Sequence, residues 1–105
     1  MSDNDKLVIL YDYYGELFTE QQKRCFEGYY FENLSLSEIA DIEDKSRNAI
    51  HKMIKSVCNK LYEYEDKLKM YESELKLREI IKKIDNLEIK KELEELLWKT
   101  NYPYI

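Results

Sequence analysis

The sequence predicts an all-α protein, and three observations support this fold class. The chain has 105 residues but only two glycines and one proline, so it offers few turns and few breaks in helices. Charged residues make up 37% of it, and apolar residues recur between them at spacings of three and four, as in amphipathic helices. A chain of this length suits one domain with a modest core.

Two helices are predicted ahead of residue 34. A capping box formed by Thr19 and Gln22 starts the second of them, and the polar pair Glu32-Asn33 follows it. The first helix is expected from about Lys6 to about Leu17, with Gly15 weakening its end. Its apolar positions lie three or four residues apart and are Leu7, Leu10, Tyr11, Tyr14, Leu17 and Phe18.

The next stretch, LSLSEIADIEDKSRNAIHKM from Leu34, contains two helix starts. Ser35 and Glu38 form a second capping box, which starts a short helix. Ser46 is a good N-cap for another helix, whose apolar residues again have helical spacing. Two helices joined by three or four residues predict a helix-turn-helix, in which the second helix can enter the DNA major groove. We expect the small residue Ala40 at their crossing.

The second helix of this motif has no glycine or proline to end it before Pro103. Its apolar spacing continues, so we expect it to run to about Tyr71. The sequence thus predicts a small helix-turn-helix head of three to four helices, a long extension of the recognition helix, and one or two C-terminal helices. We place the head at residues 1–60 and the helical extension at residues 61–105, within one domain overall.

The apolar stripe of the extension must be covered by other protein surface. After Ser73 the stripe shifts, and Asp85 with Glu88 is a candidate capping box for a last helix that ends near Trp98. Three alternatives remain for the tail TNYPYI: it docks on the body, binds a partner or, as chain ends more often do, stays loose. Two arrangements remain open, since the extension can pack on the head of the same chain or pair with a second copy in a homodimer.

Charge is distributed unevenly along the chain. The whole protein has a net charge of −5, but residues 1–44 sum to −8, residues 45–60 to +5 and residues 61–105 to −2. A cationic second helix is the expected footprint of phosphate contact. A solvated helix can also be rich in lysine by chance, and Arg47 can instead pair with Glu43 or Asp44.

These features predict DNA as a partner and give a set of contact residues. We expect Arg47, Asn48, His51 and Lys52 to face base edges. Lys45 and Lys55 are expected to hold phosphates, with Lys60 as a further candidate. Ser46 lies at the start of the helix, between Lys45 and Arg47. The predicted DNA-binding residues are therefore Lys45, Ser46, Arg47, Asn48, His51, Lys52 and Lys55.

The sequence contains no recognisable catalytic or metal site. It lacks a glycine-rich phosphate loop. The single histidine, His51, and Cys58 lie seven residues apart, about 10 Å along a helix, which is too far for a catalytic pair. Cys25 and Cys58 have no metal-ligand spacing and are expected to be buried thiols. We therefore expect no enzyme activity, no cofactor and no metal.

Two further expectations concern location and the ten tyrosines. No apolar run approaches the length of a membrane span, and the start MSDNDK does not resemble a signal peptide. We thus expect a cytoplasmic protein without membrane insertion. Tyr11, Tyr14 and Tyr29 are expected in the core. For Tyr62 and Tyr64, core packing and a protein interface remain equally open.

Three runs of the sequence resemble the YlxM-type (UPF0122) family of small bacterial helix-turn-helix proteins. They are SLSEIADIEDKSRNAIHKMIK, the preceding LFTEQQKRCFEGYYFENLS and the following LYEYEDKLKMYE, so that the resemblance spans roughly Leu7 to Glu72. The family is similar in turn to the promoter-reading helix-turn-helix of sigma factors. Its members are usually encoded beside the GTPase of the signal recognition particle. The resemblance implies a regulatory protein of that pathway, with DNA binding through the second helix of the motif.

The chain departs from this family's pattern in the turn of the motif. Relatives generally have an apolar residue where this sequence has Ile42 or Glu43, and another where it has Lys45. Ile42 is expected to take over the packing if the turn shifts its register. The net acidity and this turn also suit an alternative function: a protein or ribonucleoprotein interaction module, contacting a component of the signal recognition particle, that uses the motif only as a scaffold.

Overall fold

The computed structural model describes residues 4–97, and these residues form helices and connecting turns without a strand. The predicted all-α class is therefore confirmed. Trp98, the expected end of the last helix, and the tail TNYPYI lie outside the described residues. In chain order the α-helices are α1 (Asn4–Tyr14), α2 (Glu20–Tyr30), α3 (Leu36–Glu43), α4 (Arg47–Leu68), α5 (Met70–Ile81) and α6 (Leu87–Leu97).

The first α-helix ends earlier than the sequence predicts. It stops at Tyr14, and Gly15–Leu17 form a 3-10 turn in which the Phe18 N–H donates to the Gly15 carbonyl (3.1 Å). This turn redirects the chain so that Phe18 is buried while Leu17 is left 58% exposed. Helical conformation thus reaches Leu17 as predicted, but its last three residues, from Gly15 onward, form a 3-10 turn instead of continuing the α-helix.

The capping boxes predicted at Thr19 and Ser35 are confirmed. The Thr19 hydroxyl accepts from the Gln22 N–H, and the Gln22 side chain accepts from the Thr19 N–H. Ser35 and Glu38 make the same reciprocal pair at the start of α3. Each box satisfies two backbone donors that a helix start would otherwise leave unpaired.

The core lies where α4 packs against α1, α2 and α3. Aromatic rings fill its centre: the Phe26 ring stacks on Tyr11 (centroids 4.3 Å apart) and lies 4.6 Å from that of Tyr30. Both cysteines are buried and free, as predicted. The remaining fully buried side chains are aliphatic or aromatic and include Leu7, Leu10, Tyr14, Ile50, Ile54, Val57 and Leu61.

A single helix from Ser46 to Tyr71 does not form, and this prediction is wrong. The helix is interrupted at Lys69, which adopts a left-handed conformation (φ 53°) between α4 and α5. The break is stabilised from outside the segment. The Tyr14 hydroxyl donates to the Glu65 carboxylate (2.6 Å) and accepts from the Met70 N–H (3.1 Å). Burial, followed by the hydrogen bond to Glu65, raises the pKa of Tyr14 to about 12.

The last two helices pack on each other, and α5 also contacts α1 and α4. Asn86 rather than Asp85 caps α6, since the Asn86 side-chain oxygen accepts from the N–H groups of Glu88 (3.0 Å) and Ile89 (3.1 Å). Of the residues in α5 and α6, Ile81 is the one that is buried. The boundary between the head and the helical extension, expected at residue 60, stays a prediction. The buried Leu61 packs in the same core as the residues of the head.

The two glycines are expected to respond oppositely to substitution by alanine. At Gly15 an added methyl group would lie 3.2 Å from the Tyr11 ring, which is held between Phe26 and Glu27. At Gly28 the nearest atoms are the Ile39 and Leu34 side chains at 3.5 Å, an ordinary contact. We expect Gly28→Ala to stabilise the fold by about 0.5–1 kcal/mol through helix propensity.

Gly15→Ala should instead lower the melting temperature, because the Tyr11 ring cannot move without losing its stacking. Thermal unfolding of both variants, followed by circular dichroism, checks this contrast. Equal melting temperatures for the two variants would contradict the close approach of Tyr11 to Gly15.

Candidate nucleic-acid interface

Helices α3 and α4 form the helix-turn-helix, joined by Asp44, Lys45 and Ser46. Asp44 adopts the left-handed conformation (φ 55°) that ends α3. Aspartate tolerates this conformation better than most residues with a Cβ atom. The Lys45 N–H then donates to the Ala40 carbonyl (3.0 Å), which closes the turn as in a Schellman motif.

The turn is therefore regular without the apolar residues expected in it. Ile42 is 67% exposed, so the expectation that it takes over packing is wrong. Lys45 is exposed as well. Hydrogen bonds of the Asp44 and Lys45 backbone to Ala40 determine the geometry of the turn, and they need no particular side chain at Ile42.

The crossing of the two motif helices buries Ala40, as predicted (5% exposed). We expect Ala40→Leu to destabilise the fold by about 1–3 kcal/mol, since three further heavy atoms must enter a filled space. Urea unfolding measures this loss. An unchanged unfolding midpoint would contradict tight packing at the crossing of the two helices. Ser37→Leu, at an exposed position of α3, is the control for added side-chain volume.

Ser46 starts α4 as predicted. Its side-chain oxygen accepts from the Ala49 N–H (3.0 Å), and the first turn of α4 contains no acidic residue. The positive end of the helix dipole and the N–H groups of the first turn are therefore available to an anion. The hydroxyl hydrogen of Ser46 remains able to donate to a phosphate oxygen.

All seven predicted contact residues are exposed. Successive residues of a helix are rotated by about 100°, so the five on α4 fall within a sector of roughly 140° and extend about 12 Å along the axis. A helix with its side chains is about 10–12 Å across and therefore fits the DNA major groove, which is about 12 Å wide. The five residues are Arg47, Asn48, His51, Lys52 and Lys55.

The opposite side of α4 carries the buried residues that anchor it to the head. They include Ile50, Ile54 and Val57, each with no exposed surface. The sequence segregates apolar and basic residues on one helix, so the same packing that fixes α4 presents its basic face to solvent. The basic face ends before Glu63, which pairs with Lys60 (3.6 Å) and Lys67 (3.1 Å).

The two acids next to the motif differ in their surroundings. Glu43 makes a bidentate ion pair with Arg24, with both N–O distances at 2.9 Å, and its side chain is only 7% exposed. The Arg24 guanidinium holds the pKa of this carboxyl below its usual range. Asp44, in contrast, is exposed beside the basic face.

This arrangement corrects the alternative in which Arg47 pairs with Glu43. Arg24 occupies that carboxylate instead, and no ion pair joins Arg47 to another residue within positions 4–97. No local pattern predicts the Arg24–Glu43 pair, because 19 residues separate its partners. Its effect is to neutralise one of the two negative charges at the turn.

No cluster of three or more potential metal ligands occurs in the described part of the chain. Over the same residues, none of the helices combines the length and apolar character needed to cross a membrane.

Comparison with known proteins gives one consistent family. Residues 1–100 match the family described as "Putative helix-turn-helix protein, YlxM / p13 like". A UPF0122 protein of Malacoplasma penetrans is 45% identical over 102 residues, covering 93% of this chain and 95% of the relative. One from Clostridium perfringens is 43% identical over 94 residues, covering 89% and 75%, respectively. The chain therefore belongs to the YlxM/p13-like family of helix-turn-helix proteins.

Proposed function

We propose that this protein is a helix-turn-helix regulatory protein that binds DNA through α4 and acts in the signal recognition particle pathway. The observation that carries the DNA-binding part is the exposed basic face at the start of α4. Arg47, Asn48, His51 and Lys52 would reach base edges in the major groove. Lys45 and Lys55 would hold phosphates on either side, and Ser46 would donate from the helix start.

A salt titration tests this proposal. Lys45, Arg47, Lys52 and Lys55 are the four cationic residues of the proposed interface. On a random-sequence duplex, which offers no specific bases, each would neutralise about one phosphate, which gives a slope of log K against log salt of roughly −3.6. We expect fluorescence anisotropy with a random-sequence duplex to yield binding that weakens by about two orders of magnitude between 50 and 200 mM salt. Absence of duplex binding even at 50 mM salt would refute the proposal.

Asp44 offers a variant with the opposite effect on binding. We expect Asp44→Asn to strengthen duplex binding, because it removes an exposed negative charge beside the phosphates and asparagine also tolerates the left-handed conformation. Asp41→Asn, on the exposed side of α3, controls for a change in net charge alone. Equal affinities of wild type and Asp44→Asn in the anisotropy assay would mean that DNA does not approach the turn.

The pathway is proposed from family membership. If the protein regulates the signal recognition particle, adding it to the reconstituted particle should change the rate of GTP hydrolysis. An unchanged rate at saturating protein would remove the particle from the proposal and leave the DNA-binding part intact.

A homodimer through the C-terminal helices is the arrangement that we propose for this function. Large apolar side chains on α5 and α6 are left on the surface, including Ile80 (57% exposed), Leu87 (80%) and Leu96 (63%). Large apolar side chains left exposed on two packed helices suit an interface with another protein surface. Because α5 and α6 carry charges of both signs, these helices can pack against the same helices of a second subunit without strong electrostatic repulsion.

Sedimentation velocity tests the dimer. Wild type is expected to sediment with twice the mass of one chain, and Ile80→Ser to shift towards the monomer. A wild-type protein that stays monomeric at high concentration would rule the dimer out.

The alternative function is an interaction module without DNA binding, and the acidic surface of α2 favours it. A groove between α2 and α3 is lined by four acids, Glu20, Glu27, Glu32 and Glu43, and by the cations Lys23 and Arg24. Lys23 pairs with Glu20 and Arg24 with Glu43, which leaves Glu27 and Glu32 without an ion pair in the described part of the chain. Ile42, 67% exposed, also lines the groove. Acidic residues beside an exposed apolar side chain suit a basic amphipathic partner.

A further inference from the structure

The conformation of Lys69 is unusual for its residue type. Three residues other than glycine have positive φ within residues 4–97: Asn33, Asp44 and Lys69. Asparagine and aspartate enter the left-handed region readily, whereas lysine enters it at a cost. Such a conformation persists only where surrounding contacts impose it.

The sequence around Lys69 does not itself break the helix. No glycine or proline lies between positions 29 and 102, and the residues at the junction are lysine, leucine, methionine and glutamate, which favour helices. Apolar residues keep a helical spacing across it, at Leu61, Tyr64, Leu68, Tyr71 and Leu75. The break must therefore be imposed by contacts with other parts of the protein.

Two side chains satisfy the first backbone donors of α5. Glu65 accepts from the Tyr71 N–H (3.1 Å) and from the Glu72 N–H (3.0 Å). The Tyr14 hydroxyl accepts from the Met70 N–H (3.1 Å) while donating to Glu65 (2.6 Å). Tyr14 belongs to α1, so the head itself holds the start of α5.

A second contact from α1 holds the body of α5. The Tyr13 hydroxyl donates to Glu74, and the rings of Tyr13 and Tyr71 lie 6.0 Å apart. Neither contact can be kept if α5 continues along the axis of α4. We call the latch the set of contacts that Tyr13, Tyr14 and Glu65 make with residues 70–74 at the start of α5.

A continuous helix would replace the hydrogen bonds that the latch provides. The N–H groups of Met70, Tyr71 and Glu72 would donate to the carbonyl groups four residues earlier, at positions 66–68. Those carbonyl groups are among the last four of α4, which a helix end leaves without an intrahelical donor. The two forms therefore satisfy the same backbone donors, and Lys69 loses its strained conformation in the continuous form.

We propose that the junction of α4 and α5 is a conformational switch, in which the latch holds the bent form and its release joins α4 and α5 into one helix. Release changes the direction of α5 and α6 relative to the basic face of α4. If the protein is the homodimer proposed above, on which this consequence rests, the switch sets the separation of the two basic faces. The latch then regulates which spacing of DNA half-sites the dimer can bind.

Nuclear magnetic resonance of the full chain tests the switch at one residue. The intraresidue nuclear Overhauser effect between the Lys69 N–H and Hα, which is strong at positive φ, reports the sign of φ, and the Cα chemical shift separates an ordered residue from a disordered one. We expect left-handed values in wild type and right-handed helical values in Glu65→Ala and in Tyr14→Phe. Tyr30→Phe, which removes a hydroxyl that contacts Cys58 instead, is the matched control and should retain wild-type values.

Persistence of the left-handed values in a folded Tyr14→Phe or Glu65→Ala variant would overturn the proposal, and so would values typical of a disordered residue. Tyr14→Phe keeps the buried ring, so the test remains decisive if Glu65→Ala fails to fold. Sedimentation of the same samples separates the two proposals. Right-handed helical values at Lys69 in the variants would support the switch, and a wild type that sediments as a monomer in the same experiment would refute the dimer without affecting the switch.

Discussion

Replacing Arg47 and Lys52 together by alanine should abolish binding to duplex DNA while leaving the fold intact. Both side chains are exposed on the basic face, and neither has an ion-pair partner among the described residues. Exposed substitutions of this kind usually change stability by no more than about 0.5 kcal/mol. Loss of two cationic contacts should also reduce the salt slope by roughly 1.8 if any binding survives. Anisotropy titration and thermal unfolding measure the two effects.

A charge-matched control separates the basic face from net charge. Lys83→Ala with Lys91→Ala removes two exposed lysines, one from the turn after α5 and one from α6. We expect this variant to bind duplex DNA with nearly wild-type affinity. If the Arg47 and Lys52 variant folds and still binds, or if both double variants lose affinity equally, α4 is not the contact surface.

Replacing Phe26 by alanine should cause the largest loss of stability, about 3–5 kcal/mol. The Phe26 side chain has no exposed surface, and its ring contacts Tyr11, Tyr30 and Phe31. Its removal leaves a cavity at the centre of the head and frees the aromatic rings around it. A domain of this size typically has 5–15 kcal/mol of stability in total, so the variant should be partly unfolded near body temperature.

Phe31 provides the comparison, five residues further along the chain. Its side chain is 51% exposed, so Phe31→Ala should cost far less than Phe26→Ala. Urea unfolding of the two variants measures the difference. Similar midpoints would contradict the position of Phe26 at the centre of the core.

The features that the sequence predicted well depend on neighbouring residues. The capping boxes at Thr19 and Ser35, and the N-cap at Ser46, each involve residues three apart, and all three form as expected. The buried position of Ala40 follows equally from local spacing. Patterns of this kind identify the helix-turn-helix because its geometry is mostly local.

The features that the sequence failed to predict depend on distant residues. The long helix is interrupted at Lys69 because of a distant contact. The Tyr14 hydroxyl donates to the carboxylate of Glu65, which lies 51 residues further along the chain. Glu43 is neutralised by Arg24, which no local pattern connects to it. Ile42 is exposed because the hydrogen bonds of the turn, rather than an apolar side chain, determine its geometry.

The candidate interface falls between these two cases. Charge and helical spacing predicted which residues share a face of α4, and all of them are exposed. Whether they contact DNA stays a prediction, since contact depends on a partner as well as on the fold.

Parallel anisotropy titrations at low salt test the central claim most directly. One titration uses labelled random-sequence duplex DNA, and the other uses the reconstituted signal recognition particle of the same organism. We predict duplex binding that weakens steeply with salt, which would identify the basic face of α4 as a DNA reader. Binding to the particle without any binding to duplex DNA would contradict the claim, and would place the functional surface on the acidic side of the head or on the C-terminal helices.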